Sequence, residues 1–172
     1  MAISLYDVTV PSYEQVITAM EGVLAKGVTF ASEQSVALPD LVGARLHDDM
    51  LPLHFQVVSI AHHSLGALRG ASEGGFTPPP SLDLDYEGLQ GLLADARAGL
   101  AAFTPDVVNA FAGKEVIFKI GDASMPFVAE DFFLSFSLPN FYFHATTAYD
   151  ILRARGVALG KRDFLGGIRL KG

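Results

Sequence analysis

Residues 51–70 read LPLHFQVVSIAHHSLGALRG. Wound as a helix, Phe55, Val57, Val58, Ile60, Ala61, Leu65 and Leu68 face more than one side. A helix that is apolar nearly all round is a buried one. Such a helix needs other helices to cover it, and the flanking sequence supplies three. Upstream, Pro11 suits a first helical turn, where its missing N–H has no intrahelical partner. Tyr13, Val16, Ile17, Met20, Val23 and Leu24 then follow with the spacing of one buried stripe. Downstream, Asp85 is a good N-cap with Glu87 in the first turn. Tyr86, Leu89, Leu93, Ala96, Leu100 and Phe103 make the stripe of that helix. A last helical region is expected over Ala129–Arg155. Pro139 must kink or restart it, and Gly156 is placed to stop it.

The connections carry their own signals. ALPDLVGARLHDDM, residues 37–50, has turn residues at Pro39, Asp40 and Gly43. GASEGGFTPPPSLD, residues 70–83, reads as a surface loop. In KEVIFKIGDASMPFV, residues 114–128, Val116, Phe118 and Ile120 alternate with Glu115, Ile117 and Lys119. A Gly-Asp turn follows, so a small hairpin is expected. The tail from Val157 reads as irregular. The expected fold is mainly α: an up-down four-helix bundle with a small β-hairpin before the last helix, in a single domain over residues 1–172.

Composition bounds the function. Half of the 172 residues are apolar and only 18% are charged. About a quarter is usual for a soluble domain, so an apolar face covered in a homodimer is expected. The net charge of −7 argues against a nucleic-acid partner. Arg153, Arg155, Lys161, Arg162, Arg169 and Lys171 cluster near the end, opposed only by Asp163. They suit a helix C-terminus and a solvated tail. With no cysteine, disulfides, thiolate metal sites and cysteine nucleophiles are excluded. The start lacks the pattern of a secretory leader, and no apolar run approaches a bilayer span. A cytoplasmic protein without membrane contact is expected.

Polar groups on buried helices mark where chemistry belongs, because an unpaired buried polar group costs a few kcal/mol. On the second helix, Gln56, Ser59 and His63 lie within about 60° of one another. On the fourth, Asn140, His144 and Thr147 share a face. If the two faces meet, the interior holds two imidazoles with amides and hydroxyls beside them, which is how bundles build ligand and metal sites. Neutral imidazole suits zinc, nickel or iron. The plainer reading makes these residues core hydrogen-bonding groups. Asn140 in particular can bond the carbonyl that Pro139 leaves free. Phe132, Phe133, Phe136, Phe141, Tyr142, Phe143 and Tyr149 serve either as core filling or as an apolar pocket wall.

Other candidates are weaker. His47, Asp48 and Asp49 are too nearly adjacent to converge on a metal. His54 and His62 point away from the Gln56/His63 face. Ser64 neighbours His63, and adjacent helical residues do not face each other. The nucleophile elbow, the phosphate-binding loop, the dinucleotide fingerprint and the H-E-x-x-H helix are all absent from the sequence.

Taken in order, ISLYDVTVPSYEQ, LHDDMLPLHFQVVSIAHHSLGAL and LPNFYFHATTAYDILRARGVALGKRDFLG resemble the DUF1993 family across nearly the whole chain. That family is similar to the DinB/YfiT-like superfamily of four-helix bundles, often dimeric, some of whose members are metal-dependent transferases or hydrolases. The resemblance implies a three-histidine metal site, with one histidine on the second helix and an H-x-x-x-H pair on the fourth. His63 matches the first and His144 one of the pair. The third position is Asn140 or Ala148, so the third histidine is absent. The resemblance makes a divalent metal, zinc or nickel, the cofactor to test, with His63 and His144 as its ligands. Two functions follow. One is a DinB-like protein binding a small molecule or metal through Gln56, His63, Asn140, His144 and Thr147. The other is a non-catalytic dimeric bundle acting as a structural or interaction module.

Overall fold

The computed structural model describes residues 3–171. A short α1 (Leu5–Val8) opens the chain. Ser4 caps it, accepting from the Asp7 amide while the Asp7 carboxylate accepts from the Ser4 amide. The long α2 (Val10–Gln34) carries Pro11 in its first turn, as the sequence predicts, and α3 (Leu38–Val42) follows. The second long helix is α4 (Leu53–Ala61), a π-turn (His62–Gly66) and α5 (Ala67–Glu73) in succession. Then come β1 (Gly75–Phe76), α6 (Tyr86–Leu100), α7 (Pro105–Asn109), β2 (Glu115–Ile120) and β3 (Ala123–Val128). The last long helix is α8 (Ala129–Asp131), a second π-turn (Phe132–Ser137) and α9 (Leu138–Ala154), and α10 (Lys161–Leu165) closes the chain.

The protein is mainly helical. α2 packs on α6 and α9, and α4 packs on the same two helices. The predicted stripes meet in the core: Tyr13, Ile17 and Met20 from α2, Val57 and Ile60 from α4, Leu89 and Leu93 from α6, Phe141 from α9. The approach of α6 to α2 depends on Gly27. A Cβ there would lie 2.0 Å from the Tyr86 hydroxyl oxygen, which reaches past it to donate to the Leu24 carbonyl at 2.9 Å. Asp85 caps α6 as expected, accepting from the Gly88 amide.

Three features differ from the sequence reading. First, the buried helix at 51–70 is not one continuous α-helix, because a π-turn interrupts it at the histidine pair. The Pro139 region behaves similarly. The second π-turn ends just before Leu138, and α9 restarts with Pro139 in its first turn, where the missing N–H does no harm. Second, the sheet is not a simple hairpin. β2 and β3 pair antiparallel as predicted, from Glu115↔Val128 to Ile120↔Ala123. β1, from the segment read as a loop, adds a parallel edge through Gly75↔Ile117 and Phe76↔Phe118. Gly70 permits this, since a Cβ there would come within 2.7 Å of the Gly75 carbonyl oxygen. Third, the tail contains α10 rather than being irregular throughout. It docks on α2 through Lys26–Asp163 at 2.7 Å and through Gln15 Nε2 donating to the Leu165 carbonyl at 2.8 Å.

Candidate functional site

The two π-turns meet at the histidine pair. A π-turn shifts the backbone ladder by one residue. Here the carbonyl of His63 accepts from Ser137 Oγ, the last residue of the other π-turn, at 2.8 Å. The Tyr13 hydroxyl donates in turn to Ser137 Oγ at 3.1 Å. This chain of bonds ties α2 and both distorted helices together at the level of His63.

From that point the His63 side chain lies buried against His144 of α9. Their ring centroids are 5.8 Å apart and the planes are within 19° of parallel. Phe76 and Phe136 stand at 5.5 Å and 5.7 Å from the His63 ring, and Phe55 meets His144 edge-on at 5.8 Å. Gln56 holds His144. Its Nε2 donates to the Leu51 carbonyl at 2.9 Å, which turns Oε1 toward His144, and His144 Nδ1–H donates to that oxygen at 2.7 Å. His144 Nε2 therefore keeps its lone pair. His63 Nδ1 differs: it is buried and has no hydrogen-bond partner among the described residues.

Both imidazoles are uncharged at neutral pH. Burial, and then the neighbouring His62 and His144, push His63 down to about 3. Burial, with His62 second, pushes His144 down to about 4. His62 is lowered by the same burial, although its bond to the Thr77 carbonyl opposes this.

The sequence candidates thus separate into two groups. Gln56, His63 and His144 come together. Asn140 and Thr147 lie on the same helix as His144 but turn onto its backbone. Asn140 Nδ2 donates to the Phe136 carbonyl at 2.7 Å, a bond to its own helix but not to the Ser135 carbonyl four residues before Pro139, and Thr147 Oγ1 donates to the Phe143 carbonyl at 2.8 Å. Ser64 donates to the Ile60 carbonyl of its own helix. Among the described residues His47 pairs with exposed Asp49 alone. His62 points away from the Gln56/His63 face, as expected, and the sequence did not predict its partners: it stacks on Phe76 at 4.3 Å and donates from Nε2 to the Thr77 carbonyl at 2.7 Å. The signal was present as the doublet His62–His63, but a regular helix leaves only one of them facing inward.

A divalent metal fits this arrangement incompletely. The unpartnered Nδ1 of His63 and the Gln56-held ring of His144 are two imidazole donors with a supported geometry. The position four residues after His144 is buried Ala148, and Asn140 is engaged with its own helix. Among the described residues no group of three or more His, Cys, Asp or Glu side chains gathers to hold an ion. A three-ligand centre is not formed.

No helix among the described residues is long and apolar enough to cross a membrane. Comparison with curated proteins returns no match. Among solved structures, a DinB family member protein from Shewanella denitrificans superposes with a TM-score of 0.80 at 26% identity, over 98% of this chain and 95% of that one. The family model described as a domain of unknown function, DUF1993, matches residues 5–165. With nearly the whole chain inside that match, and a DinB-like fold around the paired histidines, this protein belongs to the DUF1993 family.

Proposed function

We propose that this protein is a single-domain, DinB-like up-down four-helix bundle that binds a small uncharged polar molecule at His63 and His144. The observation that carries this reading is the buried, unpartnered Nδ1 of His63 beside a His144 ring fixed by Gln56. A bare N–H costs more to bury than a bare lone pair, so the proton of His63 belongs on Nε2. The pair then offers two acceptors, His63 Nδ1 and His144 Nε2. The two N–H donors of a primary amide can satisfy both, and an anionic ligand gains no counter-charge from two neutral rings.

A divalent metal, zinc or nickel, is the competing occupant, and two imidazoles without a third ligand argue against it. NMR of the ring nitrogens of His63 and His144 during titration with acetamide, zinc and nickel tests the choice. Site binding of acetamide that is lost in His63→Leu supports the proposal. Stoichiometric metal binding at micromolar concentration, lost in the same variant, overturns it.

A second reading makes the protein a homodimeric structural or interaction module. Leu134, Tyr142 and Phe143 of the last helical region favour it, since they remain exposed despite their size. Sedimentation showing only monomer at high concentration would remove that reading.

A further inference from the structure

The π-turn at His62–Gly66 has two sides. His63 faces the interior pair, and His62 faces a separate cavity of about 540 Å³ between α4, α6 and the strand-to-helix segment 77–84. That volume is in the usual range for small-molecule sites, roughly 300–1,000 Å³. Its floor is apolar, with Val58, Leu65, Leu92 and Ala96 among the lining residues. Neither His63 nor His144 lines it.

Two opposite charges sit on this wall. Arg69 and Asp95 both line the cavity and are exposed, yet among the described residues they form no ion pair with each other or with another side chain. A third polar group stands with them. His62 donates from Nε2 to Thr77, so its Nδ1 carries a lone pair. That nitrogen lies 3.2 Å from where a Cβ on the cavity-lining Gly66 would be. Glycine at 66 thus keeps the acceptor uncovered. The cavity combines one cation, one anion, one neutral acceptor and an aliphatic floor.

We infer that this cavity binds a small zwitterion with an aliphatic body, of the dipeptide class. The carboxylate is recognised by Arg69. The ammonium is recognised by Asp95, with His62 Nδ1 as a further acceptor. The side chains lie on the apolar floor. The site is distinct from the His63–His144 pair and does not depend on it.

The test uses L-leucyl-L-leucine, its N-acetyl form and its C-terminal amide. Calorimetry measures affinity, and backbone NMR shifts at 58–69 and 92–96 report the location. Each blocked form is expected to bind about tenfold more weakly than the free dipeptide, the loss of one charge-assisted contact. Arg69→Gln should erase the preference over the amide but keep that over the N-acetyl form, and Asp95→Asn should do the reverse. Both residues are exposed, so circular dichroism should be unchanged. Equal affinity for free and blocked dipeptides, or shifts absent from the cavity wall, would overturn the inference.

Discussion

Replacing His63 and His144 with leucine should remove most of the stability that the natural protein loses between pH 8 and pH 5. His63 moves from an ordinary value of about 6.5 unfolded to about 3 folded. A group whose folded pKa is depressed in this way binds more protons when unfolded. Stability is therefore full above pH 6.5 and declines as pH falls toward the folded value. At pH 5 the unfolded chain has gained about 1.5 units of protonation free energy at His63 that the folded chain has not, or about 2 kcal/mol. His144 works in the same direction from a folded value of about 4. It is half-buried, and solvent screening makes its share smaller, about 1 kcal/mol. Together they remove about 3 kcal/mol between pH 8 and pH 5, a large part of a total of about 5–15 kcal/mol. Urea unfolding across this range measures the effect. His63→Leu should lose about two thirds of the 3 kcal/mol assigned to the pair and the double variant all of it, leaving the contribution of His62, which burial also lowers. A slope unchanged in the double variant would refute the reasoning.

Other substitutions probe the frame around the pair. Gly27→Ala forces a methyl group against the Tyr86 hydroxyl and breaks its bond to Leu24; urea unfolding should show a loss of about 2–4 kcal/mol. Ser137→Ala leaves the His63 carbonyl and the Tyr13 hydroxyl without their partner, costing about 1–3 kcal/mol, whereas Tyr13→Phe spares the Ser137–His63 bond and should cost about 1 kcal/mol. Phe76→Ala removes a buried ring that touches His62, His63 and Phe132, with an expected loss of about 3–5 kcal/mol in the same assay. Equal effects for Ser137→Ala and Tyr13→Phe would show that the link to the His63 carbonyl contributes little.

The long helices were legible because their apolar spacing is regular and their ends carry ordinary signals, such as Asp85 before α6. The facing of His63 and His144 was legible for the same reason: each lies on the buried side of its helix. The π-turns were not, because an inserted residue leaves the apolar pattern on either side intact and only rotates one part against the other. His62 was expected to point away from the Gln56/His63 face and does so, but its partners Phe76 and Thr77 come from a segment read as a loop. β1 was missed because two residues carry no alternation, and the glycines and prolines around Phe76 resemble a loop. That Asn140 bonds to backbone was foreseen, but its partner is the Phe136 carbonyl rather than that of Ser135, four residues before Pro139. The engagement of Thr147 was not foreseen, since a hydroxyl turning back on its own helix leaves no trace in spacing.

The central claim is that His63 and His144 form a neutral pair, with His144 protonated on Nδ1 against Gln56. Long-range proton–nitrogen NMR of the two rings between pH 8 and pH 5 tests it most directly. The account predicts uncharged rings throughout, His144 in the Nδ1–H form and His63 in the Nε2–H form. Titration of either ring near the ordinary value of about 6.5, or a His144 proton on Nε2, would contradict it.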